Sequence, residues 1–361
     1  MTKEEKYIYE CIKLAGKGIG YVSPNPLVGS IIVKNGKIIG KGYHKKFGEN
    51  HAEINAINNA KTQGFRIDGA SLYVNLEPCS HFGKTPPCVD EIIKNKIKKV
   101  FIGIPDPNHL VNGKGIKILK QNGIEVKFNI LKNECSELNK FYIKFITKKQ
   151  PYVTLKVAQS IDGKIALNDN TSKWITSESS RKLVYKLRGN YDAILIGKNT
   201  ADFDNPSLTT HSIKKPSPKR FVFDHNLSLN KSLKIFTDEY KENTFLLASE
   251  KKKNINHFFN NVAFFNETNG KINLRDVLNY LYKSNISSLL VEGGADIFSQ
   301  FLENDLFDDI YFFIAPKIIG QGISSFSNFK IDNLIKAKKL SLKIIDNSNE
   351  DITLNFNKLI K

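Results

Sequence analysis

His51, Cys79 and Cys88 offer one imidazole and two thiols, a borderline-soft ligand set that suits zinc. Three protein ligands leave the fourth tetrahedral position open, as in a catalytic zinc site rather than a structural one. A water held in such a site has its pKa lowered to about 7, so hydroxide is available at neutral pH. Glu53, close behind His51, is the carboxylate suited to take a proton from that water and return it to a leaving amine.

The spacing dictates what must hold these groups. Residues two apart on a helix point roughly 200° apart. His51 and Glu53 therefore face one site only if His51 sits at or just before a helix start, with Asn50 as the expected N-cap. Pro86-Pro87 should precede a helix carrying Val89, Ile92, Ile93 and Ile97, which puts Cys88 in its first turn. There the helix dipole and free N–H groups favour a thiolate. Asn50-x-x-Glu53 also reads as a capping box, and a single His or Cys more often packs than ligates. It is the conjunction with Pro78-Cys79 and Pro86-Pro87-Cys88 that points to metal. The general zinc-deaminase pattern is H-x-E followed by P-C-x-x-C, and here the second cysteine lies farther along than that pattern allows.

A chain of 361 residues has room for two domains with separate cores. No apolar run reaches membrane-spanning length, and Met1 to Lys6 opens an amphipathic helix rather than a signal peptide. Four cysteines, two of them assigned to metal, argue against a disulfide framework and for a reducing cytoplasm. The net charge of +18 is spread along the chain, and no stretch interleaves bases and aromatics as an RNA-binding motif would.

Tyr7 to Lys17 is helical in period, and Ile31 to Tyr43 reads as a hairpin turning at Asn35-Gly36. Helices over 51–62, 89–97 and 114–122 alternate with strands over 71–76, 100–104 and 125–128, and 131–146 reads as one closing helix. That alternation predicts a sheet covered on both faces. The polar, Pro-bounded segment near Thr147 marks a boundary, giving domains 1–147 and 148–361. Beyond it, strands over 152–158, 192–197, 220–223, 244–248, 309–315, 340–346 and 351–356 and a helix over 177–188 capped by Ser177 make a second α/β region. Lys198 to Leu208 reads as loop. Val291-Glu292-Gly293-Gly294 runs from a buried strand into a helix starting at Asp296, a turn that suits phosphate or simply chain geometry.

Glu77-Pro78-Cys79-Ser80-His81-Phe82-Gly83-Lys84-Thr85-Pro86-Pro87-Cys88 closely resembles the deaminase half of the bifunctional riboflavin-biosynthesis deaminase/reductase family. So do Ser23-Pro24-Asn25-Pro26-Leu27-Val28-Gly29 and Gly42-Tyr43-His44. Ser160-x-Asp162-Gly163, Trp174-Ile175-Thr176-Ser177, Asp204-Asn205-Pro206-x-Leu208 and Val291-Glu292-Gly293-Gly294 resemble its reductase half, so the likeness covers almost the whole chain. The resemblance implies a cytidine-deaminase-like three-layer αβα domain followed by a dihydrofolate-reductase-like α/β domain. It implies a zinc-dependent deamination of a phosphorylated diaminopyrimidinone and then an NADPH-dependent reduction of its ribosyl group. Asn25 would contact the pyrimidine; Ala158, Trp174, Thr200, Asp204 and Gly294, Ala295, Asp296, Ile297, Phe298, Ser299 and Gln300 would line the NADPH site. Ser172, Arg188, Leu208, His211 and Glu292 would hold the ribosyl phosphate. A cytoplasmic homo-oligomer acting on small molecules, without nucleic acid or membrane, is the matching expectation. Two departures stand out: the family usually has Arg at His211, and the loop Leu167 to Thr171 lacks an expected glycine.

Three other readings set the tests. A nucleic-acid deaminase would use the basic C-terminal half on RNA, and its binding would weaken with salt. A purely structural C-terminal half would not bind NADPH. A closed zinc site with a fourth ligand such as His81 would release no ammonia.

Overall fold

The computed structural model describes residues 1–80, 86–109, 111–255, 257–347 and 350–359, so His81 lies outside the described residues. The chain forms two compact units, Met1–Lys149 and Gln150–Lys361.

The first unit is a five-stranded sheet in the order β2-β1-β3-β4-β5. Its strands are β1 (Gly29–Lys34), β2 (Lys37–Tyr43), β3 (Ser71–Leu76), β4 (Lys99–Ile104) and β5 (Glu125–Lys127). β1 runs antiparallel to β2 and β3, while β3, β4 and β5 are parallel. Asn35 and Gly36 both have positive φ, as a type I′ hairpin requires. One face packs on α2 (Ala52–Thr62), α3 (Cys88–Lys94) and α4 (Lys114–Gln121), through Ala56, Ile57, Ile92 and Leu119. The other packs on α1 (Lys3–Ala15), α5 (Lys132–Leu138) and α6 (Lys140–Lys148), through Ile8, Cys11, Cys135 and Tyr142.

Two local expectations change. His51, not Asn50, is the N-cap of α2, in extended conformation and without a side-chain cap bond, so no capping box forms there. The imidazole is thereby turned toward Cys79 and Cys88 instead of toward the helix N–H groups. The expected closing helix over 131–146 is two helices broken at Asn139. The buried Asn139 amide instead pairs with the backbone of Leu27, accepting from its N–H at 2.8 Å and donating to its carbonyl at 3.0 Å.

The second unit is built on a nine-stranded sheet, in the order β11-β10-β9-β8-β14-β6-β15-β18-β17. In chain order its elements begin with β6 (Tyr152–Ser160), β7 (Lys164–Ala166), α7 (Glu178–Arg188), β8 (Ala193–Gly197), α8 (Lys198–Asp204), β9 (Lys219–Phe223), α9 (Lys234–Thr237) and β10 (Thr244–Ser249). They continue with β11 (Val262–Phe265), β12 (Glu267–Thr268), β13 (Lys271–Ile272), α10 (Leu274–Lys283), β14 (Ser288–Gly293), α11 (Ala295–Glu303), β15 (Asp309–Ala315), β16 (Ile323–Ser324), β17 (Leu340–Asp346) and β18 (Ile352–Lys358). The sheet is parallel from β11 to β15; β18 runs against it, and β17, antiparallel to β18, turns back to the common direction. Its central strands are apolar on both faces, as helix-covered parallel strands must be. Ser177 caps α7 by accepting from the Ser180 N–H. Lys198 to Asp204, expected as loop, is the short helix α8, ended by Asn205 at φ 41°. The missing glycine in the 167–171 loop is replaced by Asn170 at φ 69°, a residue type that tolerates the left-handed region.

Candidate active sites

In the first unit the ligand set assembles where the sheet ends. Cys79 follows β3, Cys88 is the first residue of α3, and His51 immediately precedes α2. Their ligand atoms all lie within 4.8 Å of one another. His51 Nδ1 is 3.2 Å from Cys88 Sγ and 3.5 Å from Cys79 Sγ, and the Cys88 N–H donates to Cys79 Sγ. A hydrogen bond from the Cys88 thiol holds Cys79 well below the usual thiol range, with His51 helping and burial opposing. Two soft sulfurs and an imidazole nitrogen converging this closely fit a zinc ion.

Glu53, on the first turn of α2, is 3% exposed, and among the described residues its Oε2 has no hydrogen-bond partner. Burial pushes its carboxyl up to about 7, against the pull of His51. A cavity of about 300 Å³ opens onto these groups, lined also by Asn25, His44, Asp106, Asn108 and Tyr142. His44 donates from Nδ1 to the Asn50 carbonyl, which leaves Nε2 to accept from the Asn25 amide at 3.1 Å. Asn25 is thus oriented by His44, while Asn139 and Asn75 pin the backbone of Leu27 just beyond it.

In the second unit a cavity of about 360 Å³ brings together Ala158, Ser172, Trp174, Arg188, Thr200, Asp204, Leu208, His211, Glu292 and Phe298. At its base Arg188 grips Glu292 with a two-pronged fork, Nε to Oε1 at 2.7 Å and Nη2 to Oε2 at 3.0 Å. Burial would raise the Glu292 carboxyl, but Arg188 and Lys156 together bring it to about 2. Lys156 Nζ lies 3.5 Å from Glu292 Oε2, and burial lowers its pKa despite that partner. Ser172 donates to Asp204. Trp174 is 64% exposed with the Arg181 guanidinium 4.3 Å over its ring, so its indole is presented as a platform rather than packed in the core. His211 packs against Tyr185 with the two rings tilted, and burial together with Arg188 and Lys234 lowers its pKa.

The glycine turn is distributed differently. Gly294 is the N-cap of α11 and approaches Thr200, where a Cβ would sit 3.4 Å from the hydroxyl oxygen. Of the α11 residues, Phe298 reaches the cavity. Ile297 packs over Gly197, Ser299 bonds back to the Ala295 carbonyl, and Gln300 pairs with Asp296. The sequence reading missed Lys156, whose signal is a lone cation inside the apolar run of β6. It also missed His44 and Asp106 as cavity residues.

Together the two units define a class: a zinc-dependent pyrimidine deaminase of the cytidine-deaminase fold, joined to a dihydrofolate-reductase-like reductase. Residues 1–104 match the cytidine and deoxycytidylate deaminase zinc-binding region, and residues 151–354 match the RibD C-terminal domain. The riboflavin biosynthesis protein RibD of Aquifex aeolicus is 39% identical over 98% of both chains, and that of Escherichia coli 32% identical over 98% of both. A crystal structure from Thermotoga maritima, of a diaminohydroxyphosphoribosylaminopyrimidine deaminase/5-amino-6-(5-phosphoribosylamino)uracil reductase, superposes with a TM-score of 0.90, 36% identity and 99% coverage of each chain. Acinetobacter baumannii RibD superposes at 0.87 with 32% identity and the same coverage. The chain belongs to the RibD family of bifunctional riboflavin-biosynthesis enzymes.

Proposed function

We propose that this chain carries out two consecutive steps of riboflavin biosynthesis. The first is hydrolytic deamination of 2,5-diamino-6-ribosylamino-4(3H)-pyrimidinone 5′-phosphate; the second is NADPH-dependent reduction of the ribosyl group to a ribityl chain. The observation that carries the reading is the pairing, among the described residues, of a three-ligand cluster and a buried carboxylate whose Oε2 has no hydrogen-bond partner with a second, cation-lined cavity in the same chain.

His51, Cys79 and Cys88 would hold zinc, which when bound makes water nucleophilic at neutral pH. Glu53 takes the proton from that water at Oε2, delivers it to the pyrimidine ring, and assists departure of ammonia. A pKa near neutrality is what a group that both accepts and donates requires. Asn25, aimed by His44, would read the edge of the pyrimidine.

In the second unit NADPH would lie along Ala158, Trp174, Thr200, Asp204 and Phe298, with Gly294 at the start of α11, and would supply hydride when bound. Ser172, Arg188, Leu208, His211 and Glu292 would form the substrate wall. As the sugar opens, its ring oxygen takes up a proton. Lys156 is the buried ammonium suited to give it, because burial already weakens its hold on the proton.

We assign the protein to the cytoplasm and to a homo-oligomer. Among the described residues no helix is long and apolar enough to cross a membrane. The oligomer is supported by apolar exposure near the sheet edge: Leu334 is 85%, Ile335 79% and Ile345 61% exposed. Separated variants test the two-step reading. Cys79→Ala should abolish ammonia release yet still oxidise NADPH when given the deaminated intermediate, and Lys156→Ala should do the reverse. Loss of both activities in either variant contradicts the assignment of one reaction to each unit.

A further inference from the structure

Glu77 opens the segment that leads from β3 to the metal ligand Cys79, and it is itself among the residues that line the deaminase cavity. It is 3% exposed, and among the described residues no cation pairs with it. A buried charge without a counterion is unfavourable unless hydrogen bonds replace its water. Here three backbone N–H groups do so: Asp106 at 3.0 Å and Gly113 at 2.9 Å on Oε2, and Ile116 at 3.1 Å on Oε1. All three belong to one stretch, the turn after β4 and the first residues of α4.

That turn supplies Asp106, Asn108 and Val111 to the wall of the deaminase cavity. Asp106 Oδ1 accepts from the Asn108 N–H at 2.8 Å and from the Tyr142 hydroxyl at 2.9 Å, so the wall is tied to α6 as well. The backbone beneath it is in close contact. A Cβ on Gly115 would stand 2.3 Å from the Pro78 carbonyl oxygen and 3.2 Å from Glu77 Oε1, so only glycine lets α4 seat there. Both carboxylate oxygens accept, so an amide in the same place must set an N–H against an N–H on one side or the other.

We propose that Glu77 is a positioning residue of the deaminase. It locks the cavity wall bearing Asp106 and Asn108 to the segment bearing Cys79, so that this wall and the metal-ligand segment keep one fixed separation. This rests on the deaminase reading of the first unit.

The test uses the full-length, zinc-loaded protein with Glu77→Gln, and independently Gly115→Ala, which displaces the same turn without altering the carboxylate. Both should raise the KM for the pyrimidine about tenfold, the effect of leaving a buried N–H unpaired. The kcat should change much less. Zinc per chain and NADPH oxidation of the deaminated intermediate should stay at wild-type values. Amide hydrogen exchange at Asp106, Gly113 and Ile116 should accelerate in Glu77→Gln, a readout that needs no turnover. Unchanged exchange at those amides, or an unchanged KM with zinc retained, overturns the proposal. So does zinc loss with the KM intact, which would place Glu77 in metal binding instead. A wild-type protein that releases no ammonia would defeat the deaminase reading, while the exchange measurement would still decide the brace.

Discussion

Glu53→Gln separates the chemistry of the first unit from its architecture. Gln keeps the shape of the side chain but cannot accept, hold and return a proton. Removing a general acid–base group of this kind costs on the order of 10²- to 10⁴-fold in rate, so ammonia release should fall by that much while zinc per chain is retained. The structure predicts a second effect in chelated, metal-free protein. Burial holds the Glu53 carboxyl at about 7 instead of its ordinary 4.5. A group raised on folding contributes stability that is fully present below its unfolded pKa and lost as pH rises through its folded one. The window is therefore pH 4.5 to 7, and the difference corresponds to about 3 kcal/mol. The metal-free Gln variant should melt higher than metal-free wild type at pH 8, by roughly 6–12 °C for a unit of this size. At pH 5 the gap should nearly close. Paired melting curves at the two pH values, with ammonia release on the zinc-loaded forms, decide the matter. Retained deamination would sink the proton-carrier role, and a melting difference independent of pH would show that Glu53 is not a buried titrating group.

Four further outcomes follow from the geometry. Arg188→Leu strands the buried Glu292 carboxylate and should destabilise the second unit by roughly 3–5 kcal/mol, seen as an early melting transition with ammonia release intact. In the wild type, Glu292 has its folded pKa lowered to about 2, so its contribution is present above pH 4.5 and lost as pH falls toward 2; a reductase transition that does not shift in that window contradicts it. His211→Arg should lower the KM of the reductase for its phosphorylated substrate, most clearly above pH 7 where His211 is neutral; no pH-dependent gain would mean that His211 does not face the phosphate. Asn139→Ala releases the Leu27 peptide and should raise the deaminase KM with the zinc content unchanged, checked by steady-state kinetics beside metal analysis.

The parts legible in the sequence were those set by local rules. Asn35-Gly36 fixes a hairpin, Pro86-Pro87 fixes the start of α3, and the spacing of His51 and Glu53 requires a helix beginning between them. What escaped was set by distant partners. The α5–α6 break looks like continuous helix until Asn139 is seen pairing with Leu27, far away in the chain. Lys156 sits in an apolar strand, and its meaning appears only when β14 brings Glu292 alongside. Asn50 has the right type for a cap, but His51 takes that place because its imidazole is oriented by the two cysteines. Leu274 to Lys283 carries a readable apolar stripe at Leu274, Val277, Leu278 and Leu281, and it is a helix the sequence reading left unassigned.

The central claim is that one chain performs deamination and then reduction. Its most direct test gives zinc-loaded protein the diaminopyrimidinone ribosyl phosphate with NADPH and follows ammonia and NADPH together. The account predicts ammonia first and NADPH consumption after it, in equal final amounts. NADPH loss without ammonia, or ammonia with NADPH untouched, would contradict it.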